Sequence, residues 1–297
     1  MICWLNGRYL DDSEAVVPLL DRGLLYGDGL FETLRVHNGA PFQWQAHWDR
    51  LRSSCDFLQI AVPDEPQAWL TVLRELMARN ALQHAVARIT ITRGVGARGY
   101  SPRNASNPTL AMNVFSLSPP PTHWRLATTS RWRIPALGNL ERSKHANRLV
   151  HVLARMEADE QGADDTLLLT ERGLVSETTS ANIFWVTAGE LRTPALSTHA
   201  LPGVTRALVL DLASECNIRC AEVESPIDEL RSSEGAFATL STWGIVPIGS
   251  VDGQSLGIAS QLGRLQAAYA ARLTQECPAS TPENHPSGAV DLPMVRR

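Results

Sequence analysis

The apolar residues of this chain change period several times. In AVARITITRG, Ala85, Ala87, Ile89 and Ile91 occupy every second position, the period of a strand with one buried face. In AHWDRLRSSCDFL, Trp48, Leu51, Cys55 and Leu58 recur at spacings of three and four, which is one face of a helix. PQAWLTVLRELMARN predicts a second helix, with Pro66 near its first turn, where the missing N–H is not needed. TLAMNVFSL reads as a further strand. Asn6-Gly7 and Asn38-Gly39 separate apolar runs and predict tight hairpin turns. In the second half a strand is expected near 124–130. TLLLTERGLVSE predicts strand, turn and strand, ANIFWVTAGELRTP a hairpin around Ala188-Gly189, and GVTRALVLDLASEC a helix. In LGNLERSKHANRLVHVLARMEA, Leu149, Val152, Leu153 and Met156 form one helical stripe. Lys144 stands just ahead of that stripe, where a loop gives way to the helix.

The mixture of elements predicts an α/β (α+β) fold in two domains. Three consecutive prolines in SPPPT cannot join a helix or a central strand. They mark either a domain linker or a surface loop. The linker reading gives a smaller domain over 1–118, a linker at 119–122 and a larger domain over 123–276. The Pro- and Ser-rich stretch 277–297 is expected to be disordered.

Composition narrows the function classes. A chain of 297 residues with 44% hydrophobic and 20% charged residues is ordinarily globular, and a net charge of -4 gives no general attraction to nucleic acid or acidic membranes. No run of 18 apolar residues occurs, so no membrane span is expected. The opening MICWLNGRYLDDSE turns polar too early for a signal peptide. Five scattered cysteines, with no CxxC pair and no His/Cys cluster, read as reduced thiols of a cytoplasmic protein without a metal site.

Several short stretches carry candidate chemistry. RGVGARG matches the glycine spacing of a dinucleotide-binding turn, but YSPRNASNP follows it, and no helix can start there to face a pyrophosphate. The stretch is better read as a loop carrying Arg93, Arg98 and Tyr100, either solvated or holding a carboxylate. LPGVTRAL puts Gly203, Val204 and Thr205 at a helix start, which suits an anion or a simple cap. Ser241 and Thr242, between two apolar segments, could bind the same anion or satisfy a turn. Arg50 could join them or make a surface salt bridge. Glu177 is either solvated at an edge or buried and paired. Taken together, an amine, a carboxylate, a helix N-terminus, hydroxyls and an arginine meet the needs of pyridoxal 5′-phosphate.

The ordered set DRGLLYGDGLFETLRV, HWDRL, TRGVGARGYS, KHANRL, VSETTSANIFW and LPGVTR resembles the fold-type IV pyridoxal-phosphate enzymes. These comprise branched-chain aminotransferases, D-amino-acid aminotransferases and 4-amino-4-deoxychorismate lyases. The resemblance runs from about Trp4 to about Arg272. It implies two domains with the cofactor at their interface, a homodimer and a small-molecule substrate. It matches Lys144 to the Schiff-base lysine and Glu177 to the partner of the pyridine nitrogen. Arg50, Val204, Thr205 and Ser241 match phosphate ligands, with Thr242 beside them, and Arg98, Tyr100 and Arg93 become candidates for substrate carboxylates. RGVGARGYS and KHANR are most similar to the lyases, which form 4-aminobenzoate and pyruvate on the way to folate. Ala146 departs from that pattern, which commonly has Leu. A D-amino-acid or branched-chain aminotransferase is the alternative.

Overall fold

The computed structural model describes residues 1–62 and 65–279. Its contacts divide the chain into two units. Among the described residues, one comprises Met1–Ser118, Ser143–Asn147 and 273–279; the other comprises Pro119–Arg142 and Arg148–Arg272. The first boundary falls at the start of the proline run. The expected 1–118 and 123–276 division omits one feature: the five residues carrying Lys144 make their contacts with the first unit.

In the first unit, β1 (Ile2–Leu5) and β2 (Arg8–Asp11) form a hairpin, followed by the short α1 (Arg22–Tyr26), β3 (Gly29–His37) and β4 (Ala40–Pro41). Helices α2 (Trp44–Leu58) and α3 (Pro66–Arg79) precede β5 (Ala85–Thr92) and β6 (Thr109–Ser116). The strands form an antiparallel sheet in the order β2-β1-β6-β5-β3-β4. Asn38 and Gly39 both take positive φ, at 50° and 74°, the backbone that a tight hairpin turn requires. Burial alternates along β5 as the sequence period predicts. One sheet face packs against α2 and α3 through Trp48, Leu51, Cys55, Trp69, Leu73 and Leu76. Trp69 is fully buried, 5.7 Å from Trp4 and 6.1 Å from Trp48 between ring centroids.

The segment 143–147 is tied to β3. Phe31 N donates to Lys144 O at 2.9 Å, and Ala146 N donates to Gly29 O at 2.8 Å. Leu30 and His145 form an antiparallel bridge. The backbone on both sides of Lys144 is thereby fixed.

The second unit begins with β7 (Trp124–Ile134), α4 (Leu149–Glu160), β8 (Asp165–Thr170), β9 (Val175–Thr178), β10 (Asn182–Thr187) and β11 (Glu190–Pro194). It continues with α5 (Val204–Glu215), β12 (Cys220–Val223), α6 (Ile227–Arg231), β13 (Gly235–Leu240), β14 (Gly244–Val251), β15 (Gln254–Ser255) and the start of α7 (Leu262–Glu276), whose residues from Leu273 belong to the first unit. Its mixed sheet runs β12-β11-β10-β13-β14-β7-β8-β9, with β15 paired to β14. Parallel pairing joins β11 to β12, β14 to β7 and β7 to β8. The core contains Leu126, Leu167, Val175, Ile183, Trp185, Ala238 and Val246.

The stripe on α4 does not face this core. Leu149, Val152 and Met156 are 63%, 52% and 54% exposed, whereas Ala154 and Ala158 are fully buried. Small residues let the helix approach the sheet closely, and the large apolar ones point outward. At the C-terminus, Cys277 is buried and its carbonyl accepts from Asn38 Nδ2 at 2.9 Å, so the expected disordered tail does not begin there. The rest of that expectation, from residue 280, lies outside the described residues. No helix among the described residues is long and apolar enough to cross a membrane.

Replacing the central tryptophan of the first core by Trp69→Ala is expected to cost about 3–5 kcal/mol, because the site is walled by two other indoles and cannot collapse freely. Urea unfolding followed by tryptophan fluorescence checks this; a loss below about 1 kcal/mol would show that Trp69 does not organise this core.

Candidate active site

In the first unit the chemistry gathers around β3. Burial alternates along this strand, and Glu32 occupies a core-facing slot between Leu30 and Leu34. Its carboxylate is met from α2. Arg50 Nε donates to Oε1 at 2.7 Å and Arg50 Nη2 donates to Oε2 at 2.7 Å, while His47 Nδ1 lies 2.8 Å from Oε2. Burial opposes the charge, but Arg50 and His47 outweigh it and bring the Glu32 pKa down to about 2. At His47 burial prevails instead and holds its pKa below the usual histidine value despite Glu32. Arg50 is therefore part of a buried two-pronged ion pair, with Nε and Nη2 both engaged by Glu32.

The opposite face of the same strand carries Phe31. Lys144 Nζ lies 4.8 Å from its ring centroid, and the Arg88 guanidinium lies 4.0 Å from it. Burial pushes the Arg88 pKa down, and among the described residues Arg88 has no carboxylate partner. Arg88 was not singled out from the sequence. The signal was present: it is a cation at an alternate position of a strand whose other face is wholly apolar.

The loop residues separate into two groups. Arg93 Nε donates to Asp28 at 2.8 Å, and its other nitrogens donate to the carbonyls of Gln59 and Leu58 at 3.0 and 2.8 Å. Arg93, expected as a candidate for a substrate carboxylate, is engaged here by the protein itself: these donors anchor the base of the loop. Arg22 holds the rest, donating to the carbonyls of Gly99, Tyr100 and Ser101. Arg98 and Tyr100 are exposed, and the Tyr100 ring lies 5.5 Å from Tyr26.

In the second unit Glu177 ends inside the sheet and is buried. Leu201 N donates to Oε2 at 2.9 Å, Asn182 Nδ2 lies 3.5 Å from the same oxygen, and His151 Nε2 lies 3.5 Å from Oε1. Burial works against the charge; His151, Arg148 and the Leu201 N–H more than offset it, and the Glu177 pKa lies below the ordinary carboxylate value. The turn after Glu177 is locked by Asp165, a fully buried carboxylate. It accepts from the hydroxyls of Thr178 and Ser180 at 3.0 and 2.8 Å and from the Thr179 hydroxyl and N–H.

Next to this, α5 starts at Val204 with Gly203 as its N-cap and no side chain capping it. A Cβ on Gly203 would stand 1.9 Å from Asn182 Oδ1, so only glycine lets the helix start approach Asn182. Val204 and Thr205 are buried there. Thr239 lies directly opposite Asn182 across β10 and β13, and its buried hydroxyl has no partner among the described residues. Ser241 and Thr242 occupy the turn that follows β13. A charged carboxylate that can hold a ring N–H, an uncapped helix start and an unpartnered hydroxyl fit a pyridine ring bearing a phosphate. Thr239 too was missed in the sequence, because a threonine inside a buried strand reads as an ordinary strand residue.

The amino-transferase class IV family profile matches residues 29–251, and the chain belongs to that family. A protein of Methanocaldococcus jannaschii that carries the name of a branched-chain-amino-acid aminotransferase is 36% identical, over 86% of this chain and 89% of its own. An aminodeoxychorismate lyase of Vibrio harveyi is 31% identical, over 88% of this chain and 96% of its own. The crystal structure of a T.th. branched-chain amino acid aminotransferase with pyridoxamine 5′-phosphate superposes with a TM-score of 0.85 at 26% identity, covering 93% of this chain and 95% of that one. The two-domain α/β architecture is that of these enzymes.

The Glu32 cluster generates a pH prediction. Its pKa falls from an ordinary 4.5 to about 2 on folding, so Glu32 contributes stability above pH 4.5 that is lost as pH falls towards 2. That contribution is about 3 kcal/mol. Glu32→Gln is expected to be destabilised at neutral pH and to lose this part of the acid slope. Urea unfolding at a series of pH values measures it; equal acid slopes in the two proteins would assign the loss to other groups.

Proposed function

We propose that this chain is a pyridoxal 5′-phosphate-dependent lyase that converts 4-amino-4-deoxychorismate to 4-aminobenzoate and pyruvate. The observation that carries the cofactor assignment is Glu177, a buried carboxylate kept charged where a ring nitrogen needs an anion. When bound, the cofactor supplies a carbonyl for an amine and a ring that accepts electrons. Lys144 is the residue that joins the cofactor and moves the proton at C4 of the substrate. Glu177 holds the proton on the pyridine nitrogen. Arg50, oriented by Glu32, holds the phosphate together with the first turn of α5 at Val204 and Thr205 and the hydroxyls of Ser241 and Thr242. Arg88, Arg98 and Tyr100 serve the substrate carboxylates. Loss of the enolpyruvyl group makes the ring aromatic and drives the reaction.

The choice of lyase rests on the KHANR and RGVGARGYS motifs. The second reading, an aminotransferase, is favoured by the 36% identity to the M. jannaschii protein. The exposed Leu149, Val152 and Met156 of α4 suit the surface that a second copy covers, in a cytoplasmic homodimer.

Two predictions test this reading. A helix N-terminus stabilises an anion by roughly 0.3–1 kcal/mol, up to about 2 when partly buried, whereas a guanidinium brings a full charge and a donor fork. Arg50→Ala is expected to release cofactor on dialysis much faster than Thr205→Ala, read from the visible spectrum. The reverse order would remove Arg50 from the phosphate site.

The second prediction concerns the reaction. The purified protein is expected to make 4-aminobenzoate, followed by its fluorescence, with no added 2-oxo acid, and Lys144→Ala to make none. Borohydride is expected to fix the cofactor on the peptide containing Lys144. An aminotransferase must instead receive a 2-oxo acid to complete its cycle. Absence of 4-aminobenzoate together with fast amine transfer from D-alanine or L-leucine to 2-oxoglutarate would replace the lyase by the aminotransferase.

A further inference from the structure

We infer that His151 is a positioning residue, acting from the first turn of α4 through its Nε2 on Glu177 Oε1 to keep that carboxylate ionised and oriented. The inference rests on the role given to Glu177 under the proposed function. The two oxygens of Glu177 are served unequally. Oε2 takes the Leu201 N–H at 2.9 Å and faces Asn182 Nδ2 at 3.5 Å. Oε1 faces His151 Nε2 at 3.5 Å, with both side chains shielded from water. A buried carboxylate oxygen without a donor gains by taking up a proton, and a protonated Glu177 could no longer hold a pyridinium.

The histidine tautomer follows from its surroundings. Arg148 Nη1 lies 3.1 Å from the same Nε2. A guanidinium only donates, so a hydrogen bond from Arg148 needs a lone pair on Nε2 and places the imidazole proton on Nδ1. That nitrogen is buried and has no partner among the described residues, so a proton there would be an unsatisfied buried N–H. With the proton on Nε2, Nδ1 keeps only an unpartnered lone pair, Arg148 no longer donates to Nε2, and the ring N–H faces Oε1. Arg148 then acts on Glu177 through its charge. His151 and Arg148 are the titratable and charged groups that lower the Glu177 pKa.

The test compares the full-length protein with His151→Phe, which removes the donor, and His151→Gln, which returns a side-chain N–H. Glu177 ionisation is read by carbon-13 NMR of labelled glutamate carboxyls without cofactor, with Glu177→Gln assigning the signal. Pyridoxal 5′-phosphate labelled with nitrogen-15 in the ring is then added, and the protonation of its ring nitrogen is read. His151→Phe is expected to raise the proton affinity of Glu177 at least about tenfold and to move the ring-nitrogen signal toward the unprotonated value. His151→Gln is expected to stay within about threefold of the parent. A Glu177 titration unchanged in His151→Phe overturns the inference. His151→Ala is judged by the same criterion if the phenylalanine variant does not fold. A parent protein that shows the Glu177 shift but takes up no labelled cofactor would instead overturn the proposed function and leave the His151–Glu177 coupling standing.

Discussion

A carboxylate removed from water needs cations or donors to replace the lost hydration, and Glu32, Asp165 and Glu177 meet this constraint in three ways. Glu32 is neutralised by one guanidinium in a two-pronged pair, with His47 on the second oxygen. Asp165 has no cation beside it among the described residues and is satisfied by hydroxyls and N–H groups of the turn just after Glu177, as well as by Thr166 N at 2.7 Å. Glu177 lies between these extremes, with a backbone N–H, a distant amide and a histidine. The difference matches the tasks. Saturating Asp165 with neutral donors makes it an anchor: it fixes residues 178–180 and, through them, the backbone of Glu177. Pairing Glu32 with Arg50 orients a guanidinium. Glu177, with looser contacts, retains lone-pair capacity for one further donor.

Much of the architecture was legible because it is local. Asn-Gly pairs announce hairpins since few other residues take positive φ without strain. Alternation in β5 and the three- and four-residue spacing in α2 reported faces that the sheet and helices bury. Periodicity fails where it must say which surface covers a face. Leu149, Val152 and Met156 form a helical stripe in either case, but Ala154 and Ala158 are the ones buried. The candidate site was legible by residue type where a residue is chemically out of place: Glu177 stands inside an apolar sheet and is buried and paired. It was illegible where partners come from afar. Arg93 looks available until Asp28, Leu58 and Gln59 are brought to it, and Arg50 looks like a surface residue until Glu32 is placed beneath α2. Glu32 carried a readable clue of its own, an acid in the register of Leu30, Leu34 and Val36.

The placement of Lys144 at the edge of α4 follows from competition for backbone hydrogen bonds. Residues 144–146 are committed to β3 through Phe31 N and Gly29 O, and a residue in a strand bridge cannot also start a helix. The helix therefore begins only at Leu149, and the loop-to-helix change in KHANRL marks the point where one set of partners gives way to the other. The backbone at Lys144 is hydrogen-bonded on both sides, and the amine at the end of its four-carbon stem lies against Phe31. Arg88 shares that ring, so a second positive charge stands close to the lysine, with no carboxylate partner among the described residues. An anion arriving at Arg88 would cancel that charge beside the Lys144 amine.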